Sequence, residues 1–160
     1  MKASVVIPTY NGGSDLIECI SSVLAQTIDC PFEIVVIDSE SVDGSINKVE
    51  TLLEESPISH TIISIKQKEF KHGHSRNKAI QNCSGEIIAF LTQDAIPLND
   101  AWLKNLILPF EADSKIAGVF GRHEAYKNHP VLLKRDIKNH FLNMEGTKVR
   151  EICNYQKYKE

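Results

Sequence analysis

Five consecutive apolar residues, Ile87 Ile88 Ala89 Phe90 Leu91, sit inside the stretch Gly85 to Pro97, GEIIAFLTQDAIP. A run with no polar face is suited to full burial, and this one is far too short to span a bilayer. It therefore predicts a strand buried on both sides in a parallel sheet. Thr92, Gln93 and Asp94 follow at the strand's carboxyl end, the edge at which open α/β sheets gather ligands. An aspartate placed there, ahead of Pro97 and a new helix, suits holding a cation or a hydroxyl; capping a turn is its plainer use.

Other segments repeat the theme. Ala3 to Pro8 reads as a first strand that stops at the proline, because proline cannot donate to a ladder. Leu16, Ile17, Ile20, Val23 and Leu24 then recur at helical spacing, with Ser14 or Asp15 as cap. Phe32 to Ile37 predicts a second buried strand, ending in Asp38, and the loop Ser39 to Ser45 leads into a helix with Ile46, Val49, Leu52 and Leu53 inward. Thr61 to Ile65 predicts a third strand, Lys68 to Gly73 a polar loop, and Ser75 to Cys83 a short helix stopped by Gly85. After the strand at Ile87 to Leu91, Asn99 or Asp100 caps a helix that buries Trp102, Leu103, Leu106, Ile107 and Phe110. Ile116 to Gly121 reads as one more strand, and Leu133, Ile137 and Phe141 mark a last amphipathic helix. Residues Asn154 to Glu160 read as poorly packed. Strands alternating with helices of this length predict a three-layer α/β/α fold around a mostly parallel sheet.

Composition narrows the function. A chain of 160 residues, 42% hydrophobic and 24% charged, fits one soluble domain with a real core. No signal-like apolar segment follows Met1 and Lys2, so the expected location is the cytoplasm. Cys19, Cys30, Cys83 and Cys153 lack the close pairing of a zinc or redox motif and are expected as largely buried free thiols. Residues 1–121 hold 9 Lys/Arg against 16 Asp/Glu, whereas residues 122–160 hold 9 against 5. The acidic part excludes a phosphate-backbone partner, so no nucleic acid is expected. The basic tail fits either contact with an anionic membrane surface or phosphorylated ligand, or a plain solvated face.

Three strand ends converge on one edge of such a sheet: Pro8 Thr9 Tyr10 Asn11, Asp38 to Ser45, and Thr92 Gln93 Asp94. With these stand VVIPTYN, FEIVVID with its closing DGS, the pair Arg76 Asn77 opening the third helix, and GEIIAFLTQDA. In this combination residues 3–121 resemble the inverting family 2 glycosyltransferases of the GT-A fold, the nucleotide-diphospho-sugar transferase type. FKHGHSRN (Phe70 to Asn77), TQDA (Thr92 to Ala95) and VFGRH (Val119 to His123) are similar to a rhamnosyltransferase subgroup within that family.

The resemblance implies transfer of a sugar, rhamnose in the narrower likeness, from a nucleotide-diphosphate donor to a saccharide or lipid-linked acceptor in cell-surface polysaccharide synthesis. It implies that Pro8, Thr9 and Tyr10 line the nucleotide pocket, that Asp38 contacts the base and that Asp43 helps shape the pocket. Ser39, Glu40, Thr92 and Gln93 complete that set, Arg76 lies near the donor, and Asp94 matches the aspartate that bridges a divalent cation, Mg²⁺ or Mn²⁺. The chemistry is consistent. A flat side chain and a carboxylate serve a base, while a cation and an arginine neutralise a departing diphosphate. His72 and His74, placed in the loop, suit either a hydrogen bond to the donor or plain exposure; two histidines alone make a poor zinc site. Trp102 fits the core better than a sugar platform.

The sequence departs from the family in two respects. Ser39 and Thr92 stand where most members carry aspartates, which lowers the expected metal affinity. Inverting transfer needs a general base, and only 39 residues follow Gly121; Glu124 and Asp136 are charged candidates outside any matched motif. The chain is therefore expected to be truncated in the acceptor part, with residues 1–121 as the donor-binding domain and 122–160 as the start of the acceptor region. The alternative is a non-catalytic nucleotide-sugar binding or assembly module completed by a partner chain. An uncovered apolar face on the tail helix would favour a homo-oligomer.

Overall fold

The computed structural model describes residues 3–142. Its elements run β1 (Ala3–Thr9), α1 (Gly13–Leu24), β2 (Phe32–Asp38), α2 (Ser45–Glu54), β3 (Ser59–Ser64), a single 3-10 turn (Gln67–Glu69), α3 (His72–Ile80), β4 (Ile87–Phe90), α4 (Trp102–Ala112) and α5 (Val131–Leu142). The four strands form one parallel sheet in the order β3-β2-β1-β4. Two compact units divide the chain, Met1–Val119 and Phe120–Glu160. Cys153 and residues 154–160, for which free thiol and loose packing are expected, lie outside the described residues.

In the first unit the side chains of β1 and β2 alternate between two cores. Val5, Ile7, Ile34 and Val36 pack with Leu16, Ile20 and Val23 of α1, Val49 and Leu53 of α2, and Leu103 and Ile107 of α4. Val6, Val35 and Ile37 face the other way, toward Ala79 of α3 and Ile65. The sheet thus lies between α1, α2 and α4 on one face and α3 on the other, the expected three layers. Trp102 is half-buried against the first core, as its apolar stripe requires. Cys19 is buried, while Cys30 and Cys83 are free and half-buried. In the second unit Phe141 is the buried anchor of α5, its ring 5.3 Å from that of His123.

Several expectations are corrected. β1 runs through Pro8 to Thr9 instead of stopping at the proline. Thr9 faces β2, since its carbonyl accepts from Ser39 N–H at 3.0 Å; Pro8 therefore faces the β4 side, where the ladder has already ended at Val6 and Phe90, and no donor is missed. β3 starts at Ser59, two residues earlier than read. The run Ile87 to Phe90, read as buried on both sides, is an edge strand in which Ala89 is buried, Ile87 and Ile88 are half-buried and Phe90 is exposed. The further strand read at Ile116 to Gly121 does not form. Its one backbone hydrogen bond of note is a turn, Ile116 N–H to Asp113 C=O, two glycines weaken it as a strand, and Phe120 is 70% exposed. α3 begins at His72, so His72 and His74 stand in its first turn and not in a loop. Extended Lys71 precedes it, and Ser75 Oγ accepts from Lys71 N–H at 3.3 Å.

α3 ends at Ile80, so Gly85 is not its stop signal but a point of close approach. A Cβ there would lie 2.5 Å from the Ala3 carbonyl carbon and 2.6 Å from Ser4 N. The contact brings Gly85 N–H to Ser4 Oγ at 2.9 Å, and Ser4 donates to Glu33 Oε1 at 2.6 Å. Ser84 donates to the same oxygen from its N–H at 2.6 Å and its hydroxyl at 2.9 Å. Glu33 is only 5% exposed. Burial pushes its carboxyl up, but the hydrogen bonds from Ser4 and Ser84 outweigh that effect and hold it below its ordinary value.

Two predictions concern this end of the sheet. Gly85→Ala should lower stability by about 1–3 kcal/mol through overpacking against β1, read as a lower urea midpoint at unchanged slope. Because the Glu33 carboxyl titrates lower folded than unfolded, its contribution is complete above the unfolded pKa and is lost as pH falls through the folded one. Wild type should exceed Glu33→Gln by about 1–2 kcal/mol at neutral pH, with the gap narrowing below about pH 4. A gap that stays constant down to acid pH would contradict the assignment.

Candidate functional site

The carboxyl edge of the sheet opens into a cleft of about 490 Å³. Its walls come from separate parts of the chain: Pro8 and Thr9 at the end of β1 with Tyr10 just beyond it, Ser39 after β2, and Thr92, Gln93 and Asp94 after β4. Gln67, Phe70, His72 and Arg76 close the remaining side. Parallel strands deliver their ends to one edge, so the topology alone gathers these loops.

Side chains then stitch the loops together. Gln93 Oε1 accepts from Thr9 Oγ1 at 2.7 Å and from Tyr10 N–H at 2.8 Å, while its Nε2 donates to Tyr10 C=O at 3.3 Å. Asn11 N–H donates to Ser41 Oγ at 2.7 Å, and Asn11 Oδ1 accepts from Val42 N–H at 2.9 Å. Glu40 Oε2 accepts from Gln67 N–H at 3.0 Å, tying the β2 loop to the 3-10 turn. Asn11 and Glu40 both hold positive φ, 47° and 61°, backbone strain that these bonds retain.

The expected site residues divide accordingly. Pro8, Thr9, Tyr10, Ser39, Arg76, Thr92, Gln93 and Asp94 are brought together on the cleft. Asp38, Glu40 and Asp43 are not among its lining residues. Asp38 is 6% exposed, and its carboxylate accepts from Ser41 N–H at 3.0 Å and Ser41 Oγ at 2.5 Å. Asp43 accepts from Ser45 Oγ and N–H at 2.6 and 3.0 Å, and from Gly13 N–H at 2.8 Å. Those hydrogen bonds, Ser45's first, hold its carboxyl below the usual range, and the Gly13 contact caps α1 from across the loops. Gln67 and Phe70 complete the cleft without having been singled out; Phe70 stood in the FKHGHSRN motif, and Gln67 carried no signal of its own.

The chemistry of the cleft is readable. Ser39 is 2% exposed, and its hydroxyl finds no hydrogen-bond partner among the described residues; a polar atom in that state is ready for a ligand. Arg76 Nη1 donates to His72 C=O at 3.0 Å, and its guanidinium carbon lies 5.8 Å from the centre of the Phe90 ring. Cys19, whose Sγ is 3.7 Å from Thr92 C=O, is no nucleophile: burial, then the charge of Asp94, pushes its thiol up to about 12. Among the described residues no group of three or more His, Cys, Asp or Glu side chains could hold a metal. Asp94 is the one carboxylate among the described residues that line the cleft, which fits a cation shared with ligand phosphates. Glu124 and Asp136 form exposed ion pairs with Arg122 and Arg135 in the second unit.

The Gln93 bridge gives a direct test. Gln93→Ala should leave the Tyr10 amide without its acceptor, cost about 1–2 kcal/mol of stability, and speed hydrogen exchange at Tyr10 more than in the centre of β1. Unchanged exchange at Tyr10 would contradict the bridge.

Comparison with known proteins agrees with the geometry. The chain is 38% identical over 129 residues to the O-antigen chain rhamnosyltransferase RfbN of Salmonella typhimurium, covering 80% of this chain and 39% of that protein. To the O-antigen chain rhamnosyltransferase WbaN of Salmonella anatum it is 32% identical over 120 residues, 74% of this chain and 36% of the relative. It therefore spans well under half the length of these relatives. Among solved structures, S. aureus TarS 1-349 in complex with UDP-GlcNAc aligns with a TM-score of 0.62 at 28% identity, over 79% of this chain and 37% of that one. A mannosyltransferase from Pyrobaculum calidifontis in complex with GDP-Man and Mn²⁺ gives 0.64 at 28% identity, over 72% of this chain and 33% of its own. The model of glycosyl transferase family 2 matches residues 4–157, and the chain belongs to that family.

Proposed function

We propose that the cleft holds the nucleotide diphosphate of a sugar donor, and that the protein transfers that sugar to a saccharide or lipid-linked acceptor in cell-surface polysaccharide synthesis. The observation that carries this reading is the assembly of one cleft from three strand-end loops and α3, with Ser39, Arg76 and Asp94 all on its wall. Its volume lies in the range of small-molecule sites, roughly 300–1,000 Å³. The two rhamnosyltransferase relatives favour rhamnose as the sugar. A glucosyltransferase of Escherichia coli, 31% identical over 136 residues and named for a diphosphoundecaprenol-linked substrate, supports a lipid-linked acceptor. A lipid-linked acceptor favours work at the inner face of the membrane, for which the basic residues beyond 121 are suited. No helix among the described residues is long and apolar enough to cross it. Exposed Val131 and Leu132 on α5 suit self-association.

In this reading Pro8, Thr9 and the half-exposed Tyr10 form the nucleoside wall, and the unpaired Ser39 hydroxyl bonds the nucleoside. Asp38 reaches the base only by giving up Ser41, so its first role is to hold the loop from Ser39 to Ser45, helped by Glu40 and Asp43. Thr92 and Gln93 form the adjoining wall, Gln93 holding Thr9 and Tyr10 in place. Arg76 draws the diphosphate, and Asp94 would hold a divalent cation. When bound, that cation supplies charge neutralisation for the leaving diphosphate. The arginine places a delocalised cation against the same oxygens with a geometry that lysine does not match.

Titration calorimetry with UDP and dTDP, each with and without Mn²⁺, tests the proposal. Wild type should bind at least one of them, and Mn²⁺ should strengthen binding only while Asp94 is present. Arg76→Ala should weaken binding by roughly ten- to a hundredfold, the worth of a charge-assisted hydrogen bond. Failure of both nucleotides to bind under every condition would overturn the reading.

A further inference from the structure

We infer that Phe90 is the positioning residue for Arg76, its ring serving as the shelf that holds the guanidinium at the wall of the cleft. The inference rests on the proposed nucleotide site and adds to it the device that orients its arginine. β4 is an edge strand whose last residue is Phe90. Strand alternation places Phe90 on the same face as Ile88, which packs with Val6, Val35 and Ala79 beneath α3. Unlike Ile88, Phe90 is 42% exposed. Burial alone therefore does not explain a phenyl ring at this position, but its neighbour does.

Arg76 projects from α3 with its guanidinium carbon 5.8 Å from the Phe90 ring centre, within cation–π reach. Its Nη1 is held by the His72 carbonyl one turn back, at 3.0 Å. Together the contacts restrain a side chain otherwise rich in rotamers. Attraction to a ring uses no N–H group of the guanidinium, so those not given to the His72 carbonyl stay available, and they are the groups that match phosphate oxygens. Leucine would fill similar space without the electron-rich face, so bulk and cation–π attraction can be separated by substitution.

The test uses the 160-residue chain as wild type, Phe90→Leu, Phe90→Tyr and Arg76→Ala, and as the double variant Phe90→Leu with Arg76→Ala, after equal thermal midpoints have established folding. The first readout needs no ligand: the side-chain Nε–H resonance of Arg76, shifted upfield by the ring current in wild type, should move downfield in Phe90→Leu and stay in Phe90→Tyr. The second is binding of UDP and dTDP, which Phe90→Leu should weaken roughly two- to fivefold, with no further loss in the Arg76→Ala background. An unmoved Arg76 resonance, or an equal loss with and without Arg76, overturns the inference, the latter by showing a packing role. If wild type binds neither nucleotide, the proposed function fails and the resonance alone still decides the shelf.

Discussion

The amide of Gln93 is the interaction on which the cleft depends. Adjacent parallel strands end side by side, but their ladder gives no bond between the loops that follow. One side chain closes that gap by engaging Thr9 through its hydroxyl and Tyr10 through both its N–H and its carbonyl. A charged carboxylate at this position could accept but not donate, and the Tyr10 carbonyl would lose its partner. Asn11, Ser41 and Val42 repeat the device between the first two loops, and Glu40 extends it to the 3-10 turn. The rim of the cleft is thus a chain of loops cross-linked by side chains, mounted on a sheet whose inner strands are almost wholly buried.

The two ends of that sheet divide the labour. At the amino end, polar atoms serve packing: Ser4, Ser84 and the Gly85 amide surround the Glu33 carboxylate and let the segment before β4 lie against β1. At the carboxyl end, Ser39 lines the cleft with a buried hydroxyl that has no hydrogen-bond partner among the described residues. An unpaired buried hydroxyl costs stability, a cost that no packing contact of the fold explains.

Much of this was legible in the sequence, for identifiable reasons. β1 and β2 announce themselves because burial on both faces leaves a continuous apolar run, and the strand-end polar residues mark the edge where the cleft opens. How far a strand is covered is not encoded locally, so Ile87 to Phe90 reads as buried on both sides although it lies at an edge, and Ile116 to Gly121 reads as a strand although it pairs with no strand among the described residues. The start of α3 was hidden because His72 and Gly73 are weak helix formers, and the local contact that anchors it, Lys71 N–H to Ser75 Oγ, is not one of the usual capping pairs. Gln67 and Phe70 reach the cleft only because β3 ends beside β2. For Asp38, Glu40 and Asp43 the location was readable but the hydrogen-bond partners were not, since Ser41, Gln67 and Gly13 become neighbours only when the loops fold.

The positive φ angles of Asn11 and Glu40 have a further consequence. Both residues hold a backbone shape that an isolated loop would leave, and both are kept in it by bonds already complete in the folded chain. A rim in this condition has spent its conformational entropy during folding, so a ligand entering the cleft meets a mould and not a flap. Selectivity is then a matter of fit and dehydration, with little free energy diverted into ordering the loops, and a molecule of the wrong outline cannot be accommodated by letting the rim relax.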